Sequence, residues 1–249
     1  MDLGLEGKNA IVTGGSLGIG TAIALGLAEE GCNVAINYRK HADEANAVVA
    51  KAEEMGRKGL AIKADVSCYD DAQNMVQTVI EEFGSLDIMV CNAGINWDGV
   101  IWKMSEEQWD TVINVNLKGY FNYNKAAACV FKEQKGGKIV NISSINGLRG
   151  KFAQSNYAAS KGGEIAMSKS LAKELGKFNV NVNVVAPGMV MTDMAYNIPQ
   201  EFLAAAMDET VVGRFATPEE CANVVAFLCS DKSRHVTGEV IKVDGGQYM

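Results

Sequence analysis

The chain has 249 residues, 48% of them hydrophobic and 21% charged, enough apolar material for one large core and no stretch long enough to read as a membrane span. Its 23 lysines and arginines against 30 acids give a net charge of −7, and with no basic run or basic patch interleaved with aromatics the composition excludes general nucleic-acid binding. The 6 cysteines are scattered without a C-x-x-C, and with only 2 histidines neither a disulfide framework nor a histidine-rich metal site is expected.

In chain order, the opening residues run straight into NAIVT (9–13), a β-branched run that reads as a strand. No charged start, long apolar core or cleavage site precedes it, so a cytoplasmic protein is expected. Thr13-Gly14-Gly15-Ser16-Leu17-Gly18-Ile19-Gly20 follows and opens a helical pattern over 20–31. Glycines there permit positive φ and let backbone N–H groups approach a pyrophosphate at a helix N-terminus. Gly14, Ser16, Leu17, Gly18, Ile19 and Gly20 are therefore candidate cofactor contacts, although a plain strand–helix junction also uses such glycines. The spacing is G-x-x-x-G-x-G rather than G-x-G-x-x-G.

The second strand, NVAIN (33–37), ends in Tyr38-Arg39-Lys40. A fold that selects NAD places an acid here for the ribose 2′-OH, whereas an arginine accommodates a 2′-phosphate, so Arg39 favours NADPH, with NADH left open. Strand LAIKA (60–64) ends at Asp65-Val66, and strand LDIMV (86–90) ends at Asn92-Ala93-Gly94. Singly these are turn residues; they gain meaning by sharing one edge with the glycine turn. Between the two strands lies a helical pattern over 71–84.

Ser105 before EEQW is a helix entry, and Asn116 falls mid-helix, where its amide can bond back to the backbone and kink the helix, or hold a water near Lys161. Strand KIVNI (138–142) carries Ser144 at its carboxyl end. Thirteen residues on, Tyr157 and Lys161 are spaced four apart, just over one turn, and so share a helix face. A phenol and an ammonium titrate near 10 when free, and a cation beside the phenol favours phenolate and brings the acid toward the working range. A hydroxyl at Ser144 would polarise a substrate carbonyl while Tyr157 delivers the proton. Strand VNVNVV (180–185) follows, then a mixed apolar segment over 189–215 suited to a substrate lid. Thr217-Pro218-Glu219-Glu220 caps a helix over 218–230, and EVIKV (239–243) is the last strand.

Strand–helix alternation without a linker or repeat predicts one α/β domain over 1–249: a Rossmann-type, doubly wound parallel sheet of about seven strands with helices on both faces.

The ordered set TGGSLGIG, CNAG, Asn116, Ser144, Y-x-x-x-K and APG (186–188) followed by Thr192 resembles the short-chain dehydrogenase/reductase family over essentially the whole chain. NISSINGLRGKFAQSNYAASKGG and VNVVAPGMVMTDM are most similar to its 3-oxoacyl-thioester reductases, acting on acyl-carrier-protein or CoA substrates. The resemblance implies a metal-free reduction in which the nicotinamide passes hydride to a ketone carbon. It makes Tyr157 the general acid, with Lys161 depressing its pKa and holding the nicotinamide ribose. Ser144 would orient the carbonyl, and Asn116 would anchor a proton-relay water. It also assigns cofactor contacts to Asp65, Val66, Asn92, Ala93, Gly94, Tyr157, Lys161, Pro187, Gly188, Val190 and Thr192, and implies a homotetramer built through the helices near 105–132 and 155–178 and the C-terminal segment.

The chain departs from the family where Leu17 replaces a frequent arginine, which leaves Arg39, helped by Lys40, to recognise a phosphate. Cys91 replaces the first asparagine of N-N-A-G. Trp97 and Trp102 either wall the substrate site or pack beneath it. By the resemblance, Lys135 and Lys173 fall near docking positions for an acidic carrier protein. The alternative substrate is a steroid, sugar or other secondary alcohol, because fold and mechanism do not fix substrate.

Overall fold

The computed structural model describes residues 2–192 and 200–249. Seven strands form one parallel sheet in the order β3-β2-β1-β4-β5-β6-β7. They are β1 (Asn9–Val12), β2 (Asn33–Tyr38), β3 (Gly59–Lys63), β4 (Ile88–Cys91), β5 (Gly137–Ile142), β6 (Val180–Pro187) and β7 (Val240–Val243). The helices are α1 (Gly18–Glu29), α2 (Ala42–Glu54), α3 (Tyr69–Phe83), α4 (Glu106–Val112), α5 (Gly119–Gln134), α6 (Asn146–Arg149), α7 (Ser155–Leu175), α8 (Gln200–Asp208) and α9 (Pro218–Cys229).

Strand alternation divides the core into two layers. Ala10 and Val12 of β1, Ile88 and Val90 of β4, and Val140 and Ile142 of β5 meet Ile23 and Leu27 of α1 and Val225 and Leu228 of α9. On the other face Ile11, Met89 and Ile139 meet Met75 and Val79 of α3 and Tyr123 and Phe131 of α5. All seven expected strands form, each within two residues of its expected bounds. Both expected helix entries carry full capping boxes, Ser105 with Gln108 and Thr217 with Glu220.

The order reverses between β1 and β4, whose neighbouring carboxyl ends open the crevice where ligands of such sheets bind. The expected long helix over 105–132 is not uniform: Ile113–Lys118, with Asn116 at its centre, winds as a wider π-helical turn. Of the expected lid over 189–215, the part 193–199 lies outside the described residues. The remainder includes α8, which Glu209 just beyond its end ties to the C-terminal tail by accepting Gln247 Nε2 at 3.2 Å and to α6 by accepting Arg149 at 2.9 Å.

Candidate active site

The glycine turn between β1 and α1 is held from three sides. Thr13 Oγ1 accepts the N–H groups of Asn92 (2.9 Å) and Ala93 (3.1 Å) from the end of β4. Asn37 at the end of β2 accepts the Gly14 N–H at 2.8 Å and donates to the Ala64 carbonyl at 2.9 Å, so one buried amide joins the ends of β1, β2 and β3. Asn92 turns its amide back to the carbonyls of Thr13 (3.0 Å) and Gly14 (3.2 Å), so its side chain shapes the turn. Gly14 lies at φ +63° and Gly18 at φ +55°. A Cβ on Gly20 would stand 2.2 Å from the Gly14 carbonyl oxygen, which only glycine avoids.

No side chain caps α1 and no acid occupies its first turn, which leaves the positive end of the helix open to an anion. The cradle therefore fits a dinucleotide pyrophosphate. Ser16 is half-buried and Leu17 exposed on its lip, while Ile19 packs against the α1 side of the core.

At the far end of this crevice Arg39 lies 3.6 Å from Asp65, both well exposed. Partial burial pushes the Asp65 carboxyl up, but hydrogen bonds from Ser67 and the Arg39 charge together hold it below the ordinary range. Val66 is buried and its carbonyl accepts Asn122 Nδ2 at 2.9 Å. At the other end the Pro187 carbonyl accepts the Ile145 N–H at 3.0 Å, joining β6 to the Ser144 loop. Gly188 N–H donates to Val243 at 3.0 Å, Val190 bridges Ala216, and Thr192 approaches Gly18. The segment after β6 thus returns to the glycine turn.

Between these ends Asn116, Ser144, Tyr157 and Lys161 converge. Tyr157 and Lys161 follow from the first turns of α7, and Lys161 Nζ stands 5.8 Å from the centre of the Tyr157 ring. The Ser144 hydroxyl lies close enough to the Tyr157 hydroxyl to favour its ionised form. A Cβ on Gly94 would lie 3.4 Å from Asn116 Oδ1 and 3.5 Å from Lys161 Nζ, which places all three residues together. Asn116, fully buried, accepts the Ile95 N–H and donates to the Ile95 carbonyl, each at 2.9 Å, and donates to Ser160 at 3.1 Å. Its amide therefore clamps the 92–95 loop.

Lys161 Nζ donates to the Ile142 carbonyl (2.9 Å) and to Glu164 (2.9 and 3.2 Å), with Tyr120 Oη at 3.4 Å. Burial pushes the Tyr157 hydroxyl up; Lys161 pulls it down, Glu164 pushes it up and the nearby Ser144 hydroxyl favours the phenolate. The net direction in the cofactor-free site is upward, so the lysine moderates a cost that burial imposes.

Several residues of this site carried no sequence signal strong enough to single them out. Asn37 read as an ordinary strand end, Thr13 only as the opening residue of the glycine motif, and Tyr120 as a helix–helix contact or core. Asn156 donates to the Trp97 carbonyl at 3.0 Å, and Gln154 to Asp98 at 2.9 Å, tying the 95–104 loop to α7. Trp97 and Trp102 are 42% and 73% exposed, so they do not pack beneath the site; with Ile101 and Phe152 they leave an apolar surface. Lys135 and Lys173 are exposed, but Lys135 precedes β5, about 20 Å by strand rise from Ser144. Lys173 lies about 24 Å by helix rise along α7 from Tyr157. Neither borders the site of its own chain.

Among the described residues no helix is long and apolar enough to cross a membrane. Residues 14–247 match a family model described as Enoyl-(Acyl carrier protein) reductase. The chain is 44% identical to the 3-oxoacyl-(acyl-carrier-protein) reductase FabG of Staphylococcus aureus over 97% of this chain and 98% of that one. It is 43% identical to the enzyme of that name from Thermotoga maritima over 97% and 98%. A solved structure from Sinorhizobium meliloti, described as a short-chain alcohol dehydrogenase, superposes with a TM-score of 0.93 at 34% identity, covering 97% of this chain and 96% of that one. The chain belongs to the short-chain dehydrogenase/reductase family, as an oxidoreductase that uses a nicotinamide dinucleotide to interconvert a secondary alcohol and a ketone.

Proposed function

We propose that the protein uses NADPH to reduce a 3-oxoacyl thioester to the 3-hydroxyacyl thioester. The observation that carries this reading is the convergence of Ser144, Tyr157 and Lys161 beside an uncapped helix N-terminus, with Arg39 at the crevice's far end. The cofactor, when bound, supplies a hydride to the ketone carbon. The residues that would hold it are the Gly14–Gly20 turn at the pyrophosphate, Asp65 and Val66 at the adenine, and Ala93, Gly94, Tyr157 and Lys161 toward the nicotinamide ribose. Asn92 acts through the turn it braces, and Pro187, Gly188, Val190 and Thr192 would close the nicotinamide end.

Arg39 would meet a 2′-phosphate. Its exposed pairing with Asp65 is worth little, so the guanidinium can turn to a phosphate at small cost.

Ser144 and Tyr157 together present two hydroxyl donors to one carbonyl oxygen. Tyr157 gives its proton to that oxygen as negative charge develops there, and becomes phenolate. Ser144 stabilises the same oxygen, and the Lys161 ammonium lowers the cost of the phenolate. Two donors on one oxygen suit a ketone better than the carbon–carbon double bond named in the family model's description. The thioester reading draws on the relatives named as 3-oxoacyl reductases, and the exposed apolar surface of Ile101, Trp102 and Phe152 suits an acyl chain. The exposed Trp109 of α4 and Phe121 of α5 suit burial against a second copy in a homotetramer.

The test is loss of NADPH absorbance on adding acetoacetyl-CoA, then a carrier-linked 3-oxoacyl group, with NADH as comparison. Turnover preferring NADPH is expected. Intact cofactor binding with no turnover of either thioester would overturn the substrate assignment.

A further inference from the structure

Glu164 plays no part in the reading above, yet its carboxylate reaches the ammonium on which that reading depends. It follows Lys161 by three residues on α7, and its side chain is completely buried. Both carboxylate oxygens contact Lys161 Nζ, at 2.9 and 3.2 Å. Lys161 is the only hydrogen-bond partner of the Glu164 carboxylate among the described residues.

An ionised carboxylate so far from water is costly, and it persists only with a close partner. Burial pushes the Glu164 carboxyl up, Lys161 pulls it back, and the balance leaves it at about 8. The other titratable groups around it are Tyr120 from α5, Cys91 from β4 and Tyr157 from the first turn of α7; β5 contributes only the Ile142 carbonyl. Burial pushes Tyr120 and Cys91 further up, so both stay neutral while Glu164 titrates. Below this cluster a buried polar chain continues: Ser168 bonds the Glu164 carbonyl at 2.7 Å and accepts from Asn141 at 2.8 Å. Asn124 then joins Asn141 at 3.2 Å. The backbone that carries the carboxylate is thus fixed from below.

We propose that Glu164 is a positioning residue for Lys161: its carboxylate fixes the ammonium beside Tyr157 and offsets part of the positive charge that favours the phenolate. The proposal rests on Tyr157 being the proton donor. The sign follows from the charges. Tyr157 titrates above its ordinary value, in a range where Glu164 is already ionised, and the anion opposes formation of a second anion nearby. Removing the Glu164 charge leaves the Lys161 charge uncompensated and moves the Tyr157 titration to lower pH. Ketone reduction, which needs the protonated phenol, then fails at lower pH; alcohol oxidation, which needs the phenolate, begins at lower pH.

The experiment compares the cofactor-free protein with Glu164→Gln by phenolate absorbance across pH, each subtracted from its Tyr157→Phe counterpart, and then follows the pH limbs of both reaction directions. The glutamine keeps an acceptor for Lys161 and loses the charge. We expect the Tyr157 titration and both limbs to move down by roughly one unit, the low end of what one nearby charge does. Glu164→Asp, with its carboxylate drawn back, should shift the same way by less, and it carries the test if the glutamine variant does not fold. Superimposable curves for the folded variants would overturn the proposal, because a purely structural glutamate moves stability without moving the Tyr157 titration. Retained turnover in Tyr157→Phe would instead refute the proton-donor reading beneath it.

Discussion

Replacing Asn37 with alanine removes the one side chain that joins the carboxyl ends of β1, β2 and β3. The amide is 3% exposed, and its loss strands the Gly14 N–H, bonded at 2.8 Å, and the Ala64 carbonyl, bonded at 2.9 Å. A buried donor or acceptor left without a partner costs about 1–3 kcal/mol, so the pair sets a range of about 2–6 kcal/mol. Relaxation of the adjoining loops puts the expectation near the lower half, at about 3 kcal/mol. For a chain of this size that is a fall in Tm of roughly 6–12 °C. The same change frees the glycine turn, whose N–H groups are then less fixed toward a phosphate, and NADPH affinity should drop at least about tenfold. Denaturant unfolding and a fluorescence titration with NADPH read the two effects separately. Stability within about 1 kcal/mol of the parent, together with unchanged NADPH affinity, would refute the claim that this amide organises the cofactor edge.

Gly20→Ala places a methyl 2.2 Å from the Gly14 carbonyl, against backbone that cannot rotate away. Overpacking of this kind costs about 1–3 kcal/mol, and cofactor binding should weaken along with thermal stability. Arg39→Ala should raise KM for NADPH by roughly tenfold or more, as loss of one charge-assisted phosphate contact implies, and leave KM for NADH nearly unchanged; parallel losses for both cofactors would place the 2′-phosphate elsewhere.

The sheet was legible because each strand is a short, mostly apolar run, and because β1, β4 and β6 are buried along their whole length, which leaves no solvent-facing register to confuse them. Ser105 and Thr217 announced their helices through the acceptor and the Gln or Glu three residues on. Asn116 was flagged as a poor mid-helix residue, and the backbone does depart from the α-helix there, though the amide is engaged with Ile95. The bracing roles of Asn37 and Thr13 were not legible because they depend on neighbouring strands meeting, which no local pattern encodes. Glu164 escaped for a different reason. Lysine followed three residues later by glutamate is the pattern of an ordinary solvent-facing pair, and only the packing of α7 against β5 and α5 reveals it as buried. The tryptophans of the 95–104 loop were ambiguous for the same reason, since spacing does not distinguish a wall from a foundation.

The central claim is that Tyr157 gives the proton to a ketone oxygen, whereas most of the cofactor's affinity comes from the glycine turn and Arg39. Tyr157→Phe, assayed with NADPH and acetoacetyl-CoA and titrated with NADPH alone, tests it most directly. The account predicts turnover reduced by at least about a hundredfold, the lower bound for loss of a general acid, with NADPH affinity close to the parent's. Turnover persisting at the parent's rate in the folded variant would contradict it.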